Sequence, residues 1–211
     1  MNLAIIGNGE MAHEIYNLVV ACDEKNKYEK IFFVDLHEDV ENNIVSEEEF
    51  FKSDRKASKI LIGMGEPFMR KKMYDKYTEC GFELATFIHP MAVVIGNTVI
   101  EDGTVILPFT YVSQNVIVGK NVILHSGCKI ENDCRVGDHC FVSCNAFVGA
   151  KTTIENDCFV GPNSTLRDSI TIGENSIIGM GAVVAKPVNK KSVCVGNPAV
   201  CVRENTTNKI F

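Results

Sequence analysis

The sequence predicts a small α/β domain over residues 1–86 followed by a prism of short parallel strands over residues 87–211. Three observations carry that prediction. The chain opens "MNLAIIGNGEMAHEIYNLVV", an apolar strand pattern that runs through a glycine turn into a helix pattern. From Ile88 onward an aliphatic residue returns every six positions without a slip. A second series of small or β-branched residues follows it at a fixed offset of four.

Composition bounds the answer before any element is placed. With 211 residues and 45% hydrophobic content, the chain can bury a substantial core and does not read as disordered. It has no basic start leading into a signal-type apolar core, and no apolar run nears the roughly 18 residues a membrane span needs. A cytoplasmic location with no membrane partner is expected. Net charge is −6 with Lys and Arg scattered, which argues against nucleic acid as a partner. Nine cysteines with no CxxC pair and an odd total suit neither a closed disulfide framework nor a structural zinc site.

The first strand pattern ends at Gly7, and Gly9 opens the helix pattern, an arrangement that lets backbone N–H groups and a helix N-terminus approach a phosphate. A second strand, "KIFFVD", ends at Asp35, and a third, "KILIGMG", ends at Gly65 before the helical "EPFMRKKMYDKYTECGF". Strands alternating with helices imply a parallel, Rossmann-like sheet with its ligand at the strand C-termini. The stretch after Asp35 is short for a full dinucleotide fold, which counts against NAD.

The repeat begins at Ile88 and continues through Val94, Ile100, Ile106, Val112, Val118, Leu124, Ile130, Val136, Val142, Val148, Ile154, Val160, Leu166, Ile172 and Ile178 to Val184. A period of six fits neither the 3.6 of a helix nor a hairpin meander; it suits a short strand plus a corner. Three strands make one coil of a triangular prism, with both series pointing inward and stacking like on like. Cys128, Cys134, Cys140 and Cys158 fall in the small series and read as apolar fillers. Glycines just after the aliphatic positions, such as Gly119, Gly137 and Gly161, are expected to supply backbone freedom at the corners.

This repeat resembles the hexapeptide pattern of left-handed parallel β-helix acyltransferases. Joined through "ATFIHPMAVV" to the small α/β domain, it resembles the nucleotide-aminosugar N-acetyltransferases of bacterial glycan synthesis, a family that also holds sialic acid O-acetyltransferases. The resemblance implies a homotrimer with active sites between subunits, acetyl-CoA as co-substrate and no metal. It also implies a nucleotide-linked amino sugar at Gly7, Gly9 and Asp35. This chain departs from the family at Glu10, where another Gly is common, and at His13, where Lys or Arg is common, which counts against phosphate contacts in the turn; His13 is counted among the candidate nucleotide-sugar-binding residues.

The family's catalytic stretch reads "VILNxxxxIxHECxIG", whereas this chain reads "VILHSGCKIENDCRVG". His125 stands at the usual Asn position and Asn132 at the usual His position, with Asp133 in the acidic place. An ammonium must lose a proton before it attacks a thioester, a task suited to histidine; Asn132 has no basic lone pair. Three readings follow: His125 assists at the sugar while Asn132 and Asp133 orient the amine, no side chain acts as base, or the protein is a non-catalytic scaffold. His125 has a plainer reading as a solvent-facing corner. His139 likewise would stack between Asn121 and Asp157 in a surface ladder. A zinc site of the β-helix carbonic anhydrase kind needs three converging histidines, and the middle coils hold only His125 and His139.

The resemblance extends to "GMGAVVAKPVNKKSVCVGNPAVCV", the form of a coenzyme A-binding terminal coil. It implies acetyl-CoA contacts at Gly179, Gly181 and Ala150, at Phe141 in place of a second histidine facing the thioester, and at Lys186, Lys190 and Lys191 for phosphates. The expected activity is acetyl transfer from acetyl-CoA to the C4 amine of a dTDP- or UDP-linked 4-amino-4,6-dideoxyhexose. The rivals are sugar O-acetylation and a silent scaffold.

Overall fold

Three apolar strands separated by helices build the first layer of the computed structural model, which describes residues 1–22, 27–53, 57–207 and 210. They are β1 (Asn2–Ile6), β2 (Ile31–Asp35) and β4 (Ser58–Ile62), with α1 (Glu10–Cys22) after β1 and α3 (Pro67–Glu79) after β4. Between them the chain adds β3 (Ile44–Ser46) and α2 (Glu47–Lys52), and β5 (Glu83–Leu84) closes the sheet. The order is β3-β2-β1-β4-β5, all parallel. Ser46 caps α2 by accepting the Glu49 N–H at 3.3 Å, a local sequence signal for a helix start.

Seventeen two-residue strands follow at intervals of six, β6–β22, from Phe87–Ile88 to Val183–Val184, each paired in parallel with the strand one coil away. They form three faces of a parallel β-helix. A hairpin of β23 (Ser192–Val195) and β24 (Val200–Glu204) ends one face. Both sequence series point inward: Ile106, Val112, Leu124, Ile130, Cys128, Cys134, Cys140 and Cys158 are all fully buried in one core. Burial pushes the thiols of Cys128 and Cys134 up to about 12 and about 11, as expected of inert core fillers. At the open lower end the stack loses its cover, and Ile88, Met91 and Val93 are exposed.

Two expectations are corrected. The left-handed corner conformation falls two positions beyond Gly119, Gly137, Gly161 and Gly173, at Asn121, His139, Asn163 and Asn175, and at the equivalent Asp133, Asn145 and Asp157 of other hexads, residue types that tolerate positive φ. Gly137 and Gly161 are needed for coil spacing instead: a Cβ on Gly161 would lie 2.7 Å from Ile178 O, and one on Gly137 would lie 2.7 Å from Asn156 N. The cysteines also do more than fill space, since Cys194 and Cys201 face each other across β23 and β24 as a disulfide. The sequence carries the signal in two "VCV" triplets flanking "GNPA", the pattern of a hairpin with its cysteines in register.

The two parts share one hydrophobic cluster. Ala12, Ile15 and Val19 of α1 pack with Leu3, Ile5 and Leu61 of the sheet and with Val105, Leu107, Ile123 and Phe141 on the outer side of one prism face. Arg70 of α3, fully buried, fastens the joint. Its Nε donates to Asn121 O at 2.9 Å, Nη1 to Met64 O and Gly65 O at 3.0 Å each, and Nη2 to Cys140 O at 2.9 Å and to His139 O. Burial lowers its pKa to about 10, which leaves it charged at neutral pH.

Candidate active site

In an open parallel sheet the ligand crevice lies where the strand order reverses, outside the strand C-termini. Here that point is between β1 and β4. Gly7 follows β1 directly with φ +97, donates its N–H to Val34 O at 2.8 Å, and lies against Met64. Gly9 precedes α1 directly. At the end of β4, a Cβ on Gly63 would come within 2.6 Å of the Ala12 Cβ, so glycine lets α1 lie this close to the sheet. Asp35 ends β2 on the same edge and holds the Leu36 N–H at 2.7 Å. Asn8 Oδ1 is buried in this turn with no hydrogen-bond partner in the protein. His13, one turn into α1, is exposed with its ring 4.6 Å from Phe33.

Residues 18 apart stack on successive coils, so each prism edge carries columns. One edge carries Leu107, His125, Ser143, Gly161 and Gly179. A second carries Asn132, Ala150, Asp168 and Lys186. The third carries Asn121, His139, Asp157 and Asn175.

His125 occupies the point where the first edge meets α1. Its Nε2 lies 3.3 Å from Glu14 Oε2, and its side chain is only 13% exposed, which excludes the plain solvent-facing reading. Nδ1 accepts the Ser126 N–H at 2.9 Å and lies 2.9 Å from Cys144 Sγ. Its ring is 5.8 Å from that of Phe141.

Above His125 an apolar cavity of about 620 Å³ runs along the prism, lined by Phe141, Phe159, Ile177 and Val193 on its floor and by Ser143 and Gly179 on the edge. Gly65 and Glu66, from the crevice of the α/β domain, form its opposite wall. A Cβ on Gly65 would meet the Phe141 ring at 3.7 Å, so crevice and cavity adjoin. Glu66 also accepts the Ile210 N–H at 3.0 Å, and Ile210 lines the same cavity.

The sequence-predicted residues therefore divide. Gly7, Gly9, His13 and Asp35 lie at or beside the crevice, and His125, Phe141, Gly179 and Gly181 lie along the neighbouring edge. Asn132, Asp133, Ala150 and Lys186 stand on the second edge, and one chain alone does not bring them to His125. Asp133 is exposed there, its carboxyl held below the usual range by hydrogen bonds from Asn115 and then Asn132. His139 departs from the surface-ladder expectation. It bonds Asn121 Nδ2 at 3.0 Å as expected, yet α3 covers it, with Tyr74 against its ring, and burial pulls its pKa down. Glu14 and Cys144 escaped sequence reasoning because their contacts with His125 span 111 and 19 residues of chain; only the coil arithmetic pointed at Cys144.

Residues 2–77 match the PglD N-terminal domain family, and residues 115–150 and 151–186 match the bacterial transferase hexapeptide family. The front region therefore belongs to the PglD N-terminal domain family and the repeat region to the bacterial transferase hexapeptide family. Among solved structures, the acetyltransferase domain of PglB from Neisseria gonorrhoeae is 22% identical with a TM-score of 0.89, covering 95% of this chain and 99% of its own. A variant of the GDP-perosamine N-acetyltransferase of Caulobacter crescentus, in complex with CoA and GDP-perosamine, is 23% identical with a TM-score of 0.87, covering 97% and 98%. WeeI from Acinetobacter baumannii is 21% identical with a TM-score of 0.75, covering 96% and 100%. Such likeness establishes the shared two-part fold. No described helix is long and apolar enough to cross a membrane.

Proposed function

We propose that this protein is an acetyltransferase that moves the acetyl group of acetyl-CoA onto the C4 amine of a nucleotide-linked 4-amino-4,6-dideoxyhexose, in the cytoplasm and in the service of surface glycan synthesis. The observation that carries this reading is the junction of crevice and cavity: a glycine turn opening a helix meets, through Gly65, an apolar cavity whose Phe141 ring lies 5.8 Å from that of His125, itself paired with Glu14. Gly7 and Gly9 offer backbone N–H groups and the α1 N-terminus to phosphates. Asp35 takes the ribose or base. The cavity between Ser143 and Gly179 fits the apolar arm and thioester of the donor. The new N–C bond forms as the C–S bond breaks, one proton leaves nitrogen, and the His125–Glu14 pair handles it.

Asn132, Asp133, Ala150 and Lys186 enter the site from the second edge of a neighbouring copy. The two edges differ, so their contact is heterologous, and repeating it around a three-fold axis closes a trimer with three composite sites. The perosamine enzyme was crystallised with a GDP-linked sugar, so GDP joins dTDP and UDP as a candidate nucleotide.

The test is mass-spectrometric. Incubation with acetyl-CoA and a panel of GDP-, UDP- and dTDP-linked 4-amino sugars is expected to give one product heavier by a single acetyl group. Acetylation of a free sugar hydroxyl instead would assign the protein to the O-acetyltransferases, and no transfer with any pair would leave a scaffold. Full activity in His125→Ala would remove His125 from the reaction.

A further inference from the structure

Both ring nitrogens of His125 are engaged. The Ser126 N–H points at Nδ1, so Nδ1 carries the lone pair and Nε2 carries the proton, directed at Glu14 Oε2. That one lone pair is shared, since the nitrogen that accepts the Ser126 N–H also lies 2.9 Å from Cys144 Sγ. A thiol, an imidazole nitrogen within reach and a carboxylate on the other nitrogen form the constellation of an activated nucleophile. Cys144 also differs from its neighbours in the repeat. Cys128, Cys134, Cys140 and Cys158 are fully buried in the core, while Cys144 sits on the edge and is partly exposed. It follows Ser143 and lies one coil below Pro162, both of which line the apolar cavity. Cys144 thus adjoins two residues of the cavity lining.

We propose that Cys144 is the nucleophile that accepts the acetyl group from acetyl-CoA, with His125 as its base and Glu14 as the positioning residue. The inference rests on the acetyl-transfer reading above. Cys144 gives its proton to His125 Nδ1, which lets go of the Ser126 N–H as it does so, and the thiolate attacks the thioester carbonyl. The bond from acetyl carbon to coenzyme sulfur breaks, and the departing coenzyme thiolate takes the proton from His125. The acetyl group now rests on Cys144 as a thioester. The sugar amine attacks it, the Cys144 sulfur leaves as thiolate, and the proton from nitrogen returns through His125 to the sulfur.

The test has two arms that need no sugar. Brief iodoacetamide treatment of the whole protein with peptide mapping should label Cys144 at least about tenfold faster than Cys80, and His125→Ala should abolish that lead. Glu14→Gln should move the labelling pH profile without unfolding the protein, which a purely structural carboxylate would not do. Incubation with acetyl-CoA alone should then add one acetyl group to the Cys144 peptide, removable by neutral hydroxylamine, with none in Cys144→Ser. Acetyl transfer to the sugar should fall about 100-fold or more in Cys144→Ser and Cys144→Ala. Calorimetry with acetyl-CoA separates the two readings. Binding without an adduct, or full turnover in Cys144→Ala, overturns the relay and leaves direct transfer standing; no binding at all overturns both.

Discussion

Replacing Arg70 with methionine tests how the α/β domain is held against the prism. The guanidinium donates to carbonyls from three separate segments, at Met64 and Gly65, at Asn121, and at His139 and Cys140. Cys140 O keeps the Ile123 N–H at 3.0 Å, and water can reach the half-buried Met64 and Gly65. The carbonyls of Asn121 and His139, in residues 1% and 7% exposed, have no such relief. Two orphaned buried acceptors at about 1–3 kcal/mol each, less what methionine regains by packing, put the loss near 3 kcal/mol. Arg70→Lys keeps the charge but offers three donors on one nitrogen, which do not span three segments, so it should lose nearly as much. Urea denaturation followed by circular dichroism measures both. A loss below about 1 kcal/mol for methionine, or full recovery with lysine, refutes the argument that the fork geometry holds the joint.

Burial pulls the His139 pKa down, so the unfolded chain binds that proton more readily; the stability is present above about pH 6.5 and is lost as pH falls below it. His139→Asn keeps a side chain that tolerates φ +61 and should flatten this acid limb in part, His89 being shifted the same way; a pH-independent gap between variant and parent would contradict the assignment. Gly179→Ala would place a Cβ 2.7 Å from Val195 Cγ1 and narrow the cavity, so KM for acetyl-CoA should rise about tenfold in steady-state assays with kcat little changed; an unchanged KM would take the donor out of this cavity.

The prism was legible because its periodicity is local: each hexad must bury one aliphatic and one small residue, and the chain repeats that demand from Ile88 to Val184. The front sheet was legible from its strand and glycine pattern, though β3 and α2 went unread despite the Ser46 to Glu49 cap. The site was less so. Gly7, Gly9 and Asp35 fall at strand ends that the sheet rule locates in advance. Glu14, by contrast, reads as one polar residue on an amphipathic helix, and nothing local says that its turn of α1 lands on His125. Arg70 likewise reads as one of three consecutive basic residues, and only the packing of α3 over His139 buries it. The division of Asn132, Ala150 and Lys186 from His125 and Gly179 was within reach of the 18-residue coil count, which assigns an edge to every corner residue.

That division makes a prediction about assembly that stability measurements cannot make. If each site takes the first edge of one chain and the second edge of its neighbour, His125→Ala damages only the former and a double Asn132→Ala, Asp133→Ala variant only the latter. Each protein alone should have every site impaired. Unfolded together in equal amounts and refolded, the chains assort at random around the ring, and about a quarter of the sites receive an intact edge from each side. Activity should recover towards that fraction, while mixing folded variants without exchange should recover nothing. A site contained within one chain gives no recovery under either protocol, because every chain then carries its own lesion. Recovery would place Asn132 and Asp133 opposite His125 across a subunit boundary, and its absence after confirmed exchange would return both residues to the ladder they form with Asn115 on an ordinary surface edge.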